Sequence, residues 1–538
     1  MSKLKLTKRN EIFNQTSVNS IVESRYDLSK CSSGTFQMGA LYPIYCRNDI
    51  VPGDKFKLSC VPFIRFLPLV SPALTNVDVD VRYFFVPRRL LWSQWKNFFS
   101  PSSADDVALI EPFIYNRERN GKIVSLYNTT QSIYDYMGCA SISYSKTNTD
   151  GVIYGNPTWI PDSDNPTPFG SDYFGFAAPI KDVSQLDDVD LGFHNSTPLK
   201  YSAYPFLAYN AIYNEYFRDE NLQPEGLSHV TTGGNHHGYQ FYLRRVSWQK
   251  DYFSSALPWV TQAVFNTPTI NNGDTIEVLR EASALTRWLE LQAIGGHRYQ
   301  ESILSHFGIR VPDEAAQVPI YLGGGRVPVQ IGSVDQTSPF ENPDTSEIIP
   351  LANLGGKGTA SGNLFVDRFE FKEHGTILGV MCIRPHALYA DVNPKDILAL
   401  DSRHDYYYPE FANLGDEGII NDELNPGWSS FTNGNDEFGY QMRYASYRTS
   451  FDQVHGLLRP GESLESWTQA RSWRDKYHNP DAGSLVLEGD SISNGFITCR
   501  PSNRIFAYKE FADNLVGEIT TLVDAVRPLP NYVDPKID

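Results

Sequence analysis

Apolar residues fall on alternate positions through NVDVDVRYFFVP: Val77, Val79, Val81, Tyr83 and Phe85 share one face, while Asp78, Asp80 and Arg82 take the other. A period of two predicts a strand. The polar positions predict that one face is wet, as in an antiparallel sheet packed on a single side. The whole stretch from 41 to 86 reads as closely spaced strands punctuated by Pro and Gly, and Pro87 closes the last of them. A short amphipathic helix follows in RRLLWSQWKNFFS, with Leu91, Trp95, Phe98 and Phe99 at helical spacing and Ser100-Pro101 as its stop.

Further along, FLAYNAIYNEYFRDENLQ puts Tyr209, Ile212, Tyr213, Tyr216 and Phe217 on one helical stripe, best read as core packing and not as a cofactor box. LREASALTRWLELQAI predicts a helix ended by Gly295-Gly296, and HRYQESILSHFG predicts a second short one. Strand-like pieces return at 376 to 385, 439 to 447 and 495 to 500. Residues 140 to 200 are rich in Ser, Thr, Asn, Asp, Pro and Gly with poor periodicity, and read as an exposed insertion carried by the core. The ending RPLPNYVDPKID is extended, as its prolines require. Many strands separated by long helical and irregular excursions predict an all-β core decorated by its loops, a sandwich or a jelly roll.

Composition narrows the function. Aromatic residues make up 13% of the 538, a loading that suits pleated surfaces and subunit interfaces. The net charge of −17 argues against a chain that holds nucleic acid through its bulk charge. Local basic charge gathers at the start, where Lys3, Lys5, Lys8 and Arg9 precede the first acid, Glu11. That segment is either a solvated tail or an arm on a nucleic-acid-facing surface. Six scattered cysteines form neither a disulfide framework nor a zinc pattern, which predicts folding in a reducing, cytoplasmic compartment. No apolar run is long enough to span a bilayer, and the polar start does not read as a signal peptide.

Catalytic signatures are missing: the chain has no GxSxG, HExxH or GxxxxGK[ST]. LGGKGTA at 354 to 360 misses the last by placing Gly358 where a hydroxyl belongs, and reads as a flexible loop. The triple glycine at 323 to 325 lacks a strand-to-helix setting. His236 and His237 have no third metal ligand near in sequence, and Asp162 and Asp164 lack the later ligands of a calcium loop. His374 and His404 lie among aromatics and acids and read as structural. The alternative from another class is an all-β carbohydrate-active enzyme or lectin, with Glu290 beside Trp288 or Glu465 near Trp467 as the carboxylate and sugar platform. Both pairs sit in helical-looking segments, away from the strand ends and loops where clefts form.

Four colinear blocks are similar to the major capsid proteins of Microviridae, nearest the gokushovirus-like branch. They are FQMGALYPIYCRNDIVPGDKFKLSCVPFIRFLPLVSPALTNVDVDVRYFFVPRRLLWSQW (36 to 95), YNAIYNEYFRDENLQ with KDYFSSALPW (209 to 259), HRYQESILSHFGIRVPDEAAQVPIYLGG (297 to 324), and the run from FKEHGTILGVMCIRP through YYYPEFANLGDE and FGYQMRYASYRTS to VHGLLRP (371 to 460). The resemblance implies an eight-stranded antiparallel viral jelly roll with long loop insertions containing short helices. It implies a structural protein, not an enzyme, that self-assembles into an icosahedral virion shell around a circular single-stranded DNA genome. The expected partners are further copies, the packaged DNA, an internal scaffolding protein, a DNA pilot protein, a small basic DNA-binding peptide and a bacterial surface receptor. The basic peptide would supply the phosphate neutralisation that an acidic shell protein lacks. A structural divalent cation is also implied, with no ligand motif to place it. The layout so read is a basic arm at 1–30, one capsid domain at 31–527 with the insertion at about 140–200, and an extended tail at 528–538. The family's threefold protrusion follows the ALPW block, but only about twenty residues separate Trp259 from Leu279 here. Receptor contact is therefore expected at 140–200.

Overall fold

The computed structural model describes residues 23–101, 108–115, 131–139, 200–236, 240–259, 298–335, 354–399, 406–411, 415–424, 437–471, 494–508 and 513–530, with a few single positions and short strand segments between them. Eleven strands form its main sheet: β1 (Ser24–Asp27), β2 (Lys30–Phe36), β3 (Leu41–Ile50), β4 (Lys55–Phe66), β5 (Val77–Pro87), β6 (Ile320–Pro328), β7 (Gln330–Asp335), β8 (Leu354–Ser361), β9 (Leu364–Glu370), β10 (Gly375–Pro385) and β11 (Leu515–Arg527). The order is β7-β8-β4-β9-β6-β5-β10-β3, with β11 on the other edge of β4 and β1 and β2 beyond it. Every pairing is antiparallel.

The sheet curls over on itself, so that β3, β10, β5 and β6 face the layer built on β4 and β11. Side chains bridge the two layers: the Tyr83 hydroxyl meets that of Thr521 at 2.8 Å, and Phe371 lies 4.7 Å from Phe85 and 5.5 Å from Phe56. Alternation feeds this core. Leu515, Ile519, Val523 and Ala525 of β11 point inward, as do Phe56, Leu58, Cys60 and Ile64 of β4. This is the expected all-β, jelly-roll-like architecture, with eleven strands in place of the expected eight. Two of the three extra strands arise because β8 and β9 share one edge of β4 while β1 and β2 share one edge of β11.

Two glycine-rich segments owe their composition to close approach. The triple glycine lies in β6, at a register shift where the sheet passes from β5 to β9. Gly324 has φ +155°, and a Cβ there would lie 2.1 Å from the Val81 carbonyl oxygen. LGGKGTA, expected to be a flexible loop, is instead β8. Gly356, Gly358 and Ala360 are its inward positions, beneath Leu69 and the Phe66 ring. Small residues alternate there just as large ones do in β11, a period-two pattern invisible to a search for apolar side chains.

The polar face of β5 is not wet. Asp80 is 3% exposed and meets three guanidiniums, those of Arg82 at 2.7 Å, Arg384 at 3.3 Å and Arg326 at 3.5 Å. What covers this side is the excursion between β5 and β6. It begins with two short helices, α1 (Arg88–Leu91) and α2 (Trp95–Phe99), separated by an extended Trp92, where one helix was expected. Leu91 and Trp95 are buried, and Phe99 is exposed. Next comes α3 (Tyr204–Tyr216), which is buried nearly all round instead of along one stripe. Its polar positions are paired inside: Asn214 Nδ2 donates to the Gly226 carbonyl and Oδ1 accepts from the Gly226 N–H, both at 2.8 Å. Phe217, just after the helix, receives the Arg82 guanidinium over its ring at 5.4 Å.

Two expected strands differ. Residues 439 to 447 form a strand only as far as Met442; Tyr444 then turns left-handed (φ 60°) into a 3-10 turn, Ala445–Tyr447. Residues 495 to 500 lie largely in a helical turn, Asn494–Ile497. The Thr498 N–H donates to the Asn494 carbonyl and the Thr498 hydroxyl to Asn494 Oδ1, both at 2.9 Å. Such short apolar runs do not distinguish strand from helix. All six cysteines are free, and among the described residues no helix is long and apolar enough to cross a membrane.

Candidate assembly surfaces

The two ends of the chain are knitted into one wall. β11 pairs with β1 and β2 on one side and with β4 on the other, bringing residues some 500 positions apart into register. Arg527 locks its end: Nε donates to Asp54 Oδ1 at 3.1 Å and Nη1 to Asp49 Oδ2 at 3.0 Å. Asp54 is fully buried, so this pairing is what makes its charge tolerable. Beyond it the Tyr26 hydroxyl contacts the carbonyls of Leu529 and Pro530, and 531–538 lie outside the described residues.

The outer side of this wall carries apolar residues with no cover. Leu522 and Phe365 flank Ser59 across three strands, and Phe63 is overlaid by the Arg65 guanidinium at 4.8 Å. Further patches hold Tyr406, Tyr407, Tyr408 and Tyr447.

Helix α4 (Tyr299–Phe307), expected from the sequence and ended by Gly308 at φ 69°, has no buried residue at all. Tyr299 is 67%, Leu304 51% and Phe307 74% exposed, and Ile309 just beyond is similar. The Trp288 ring stacks on His306 at 5.6 Å, so Trp288 lies alongside. The helix was readable from the sequence; that it faces outward was not.

Contacts at its N-terminus hold α4 to the body. Arg298, its N-cap, donates from Nη2 to the carbonyls of Asn214 (2.8 Å) and Arg218 (3.1 Å), and its guanidinium lies 3.4 Å from Glu220 and Glu301 and 3.7 Å from Glu215. Arg298, Glu215 and Glu220, with Arg218 and Glu225, border a cleft of about 520 Å³ against Gln317–Pro319. Burial, and then a hydrogen bond with Glu220, pushes the Glu301 carboxyl up to about 7, while Arg298 opposes them. Burial raises Glu215 as well. Because the folded state favours the protonated acid, attachment of α4 is complete below the ordinary carboxyl value of 4.5 and fades as pH rises through about 7. Amide exchange across 299–307, corrected for intrinsic rate, is expected to rise by up to about tenfold between pH 6 and 8. Glu301→Gln should flatten that rise; an unchanged profile in the variant would assign it to another group.

The residues singled out from sequence are not drawn together. Lys3 and Lys5 lie on a strand, Ser2–Lys5, in register with Gln15–Val18; Lys8 and Arg9 lie outside the described residues, as do His237, His404, Asp162, Asp164 and Glu290. Of the 140–200 insertion only two short paired segments, Lys146–Thr147 and Ile153–Tyr154, and Lys200 are described. His236 contacts the Thr232 carbonyl, and His374 packs on Phe99 at 4.7 Å, where burial and Arg88 lower its pKa. Glu465 accepts the Gly461 N–H in a 3-10 turn with Trp467, far from a sugar-binding arrangement. No group of three or more His, Cys, Asp or Glu among the described residues is placed to hold a metal ion.

A curled antiparallel sheet whose outer surfaces carry uncovered aromatics is a wall suited to docking against copies of itself. Comparison with known proteins agrees. Residues 15–140, 177–273 and 266–537 match the family described as capsid protein (F protein). Capsid protein VP1 of Bdellovibrio phage phiMH2K is 27% identical, covering 95% of each chain, and capsid protein VP1 of Chlamydia phage 1 is 26% identical, covering 97% of each. Capsid protein VP1 of Spiroplasma virus 4 is 23% identical over 99% of this chain and 98% of its own. These relatives are structural proteins of microviruses, and the carbohydrate-active alternative finds no support among them. On this match the chain belongs to the capsid protein (F protein) family, with a structural role in a bacteriophage virion.

Proposed function

We propose that copies of this chain close into an icosahedral shell enclosing a circular single-stranded DNA genome, and that the chain does this work without catalysis. The observation that carries the reading is the two-layer antiparallel wall closed by β11, within a family of capsid proteins. Identical subunits reach a closed shell through heterologous contacts whose rotations complete rings, since contacts that do not close grow filaments. The layout we favour is one capsid domain over 31–527, a basic arm at 1–30 and a clasping tail at 528–538, with receptor contact in the insertion at about 140–200. Assembly belongs in the host bacterial cytoplasm, a setting that six free cysteines suit. The remaining partners are an internal scaffolding protein, a DNA pilot protein and a small basic peptide. A structural divalent cation belongs to the same reading, with no residues assigned to hold it.

Deleting residues 528–538 is expected to leave the monomer folded, because β11 and the Arg527 contacts stay intact, and to cut particle yield. Sedimentation of the expressed truncation checks this; a normal yield of particles removes the tail from assembly. Reversing Lys3, Lys5, Lys8 and Arg9 to glutamate is expected to lower packaged DNA and weaken the salt dependence of its retention. Unchanged genome content would make the segment a solvated tail only.

A further inference from the structure

We propose that the exposed face of α4 is a contact between copies of this chain in the shell. The inference rests on the shell reading above and adds to it a named surface. Among the described residues nothing covers this helix: none of its nine residues is buried, although Arg298 ties it to Glu215 and Glu220 of the body. A helix anchored to the body by four polar contacts through Arg298, yet left bare on its apolar side among the described residues, is positioned for something outside the chain.

Area and charge together select the occupant. Trp288, Tyr299, Leu304, Phe307 and Ile309, with the two exposed leucines beside Trp288, present on the order of 700 Å² of apolar surface, more than a lone monomer usually shows and close to the ~800 Å² per partner of a stable interface. Arg287 and Arg310, both exposed, stand at this patch, and Glu301, the acid on α4, is turned to the Arg298 clamp. A basic-rimmed apolar patch on a chain of net charge −17 is complementary to the general surface of another copy. Large aromatics at the centre of such a patch are the usual anchors of an interface.

The test compares Leu304→Asp/Phe307→Asp with wild type and with Ile397→Asp, a residue as exposed as Phe307 but elsewhere. All three are expressed alike, melted as soluble chain, and assayed for particles by sedimentation and electron microscopy. The proposal expects unchanged melting and at least a tenfold loss of particles for the double variant, with Ile397→Asp near wild type. A cysteine-reactive or photoactivated crosslinker placed at Phe307 should then join two chains in wild-type-like particles. Full particle yield from the double variant overturns the proposal, whether the particles then fail to retain DNA, which would make the patch a nucleic-acid contact, or fail to infect, which would make it a host contact. Wild type that yields no particles under any partner combination overturns the shell reading and this surface with it.

Discussion

Asp80→Ala is expected to destabilise the folded chain by about 3–5 kcal/mol, the usual cost of stripping one partner from a buried ionic cluster. Three guanidiniums converge on this carboxylate: Arg82 from its own strand, Arg384 from β10 and Arg326 from β6. Three neighbouring strands are therefore cross-tied at one buried atom group, under the layer built by α3. Without the acid, Arg82 and Arg384 are left largely buried with like charge and no counterion. The urea midpoint followed by tryptophan fluorescence measures this, and Asp80→Asn, which keeps hydrogen-bond acceptance, should fall between the two. A midpoint unmoved by alanine would mean that the arginines reach water and the face is open after all.

Gly324→Ala is expected to cost more than about 3 kcal/mol, because strain and overlap act together. Its φ of +155° lies outside what L side chains adopt readily, and the added Cβ meets the Val81 carbonyl oxygen at 2.1 Å and Arg82 Cα at 2.8 Å. Those neighbours are backbone of a central strand and have nowhere to go. Gly332→Ala, where nothing lies within 4 Å, serves as the control and should change stability by less than about 1 kcal/mol. Soluble expression and thermal melting of the pair decide the matter. Equal behaviour of the two variants would show that β6 relaxes at its register shift.

What the sequence disclosed, and what it concealed, follows from how each element is packed. The Val77–Phe85 alternation was legible because large apolar side chains fill the space between the layers. The same strand misled on its other face: Asp78, Asp80 and Arg82 look solvent-bound in isolation, and only the return of β6 and β10 with further arginines explains the burial of Asp80. β8 escaped notice because its inward residues are two glycines and an alanine, chosen for closeness to Phe66 and Leu69, not for hydrophobicity. The helices α3 and α4 were both expected from the sequence. Phe206, Tyr209 and Tyr213 are sealed in the core, the Tyr209 hydroxyl donating to the Leu41 carbonyl of β3, while Tyr299 and Phe307 are bare. The basic N-terminal residues remain a reading of charge, since only the Lys3 and Lys5 backbone is placed.

The shell itself is the most direct test. Electron microscopy of the chain purified after expression with a candidate scaffolding protein should show closed, uniform spheres. A homogeneous monomer or open filaments under the same conditions would contradict the account.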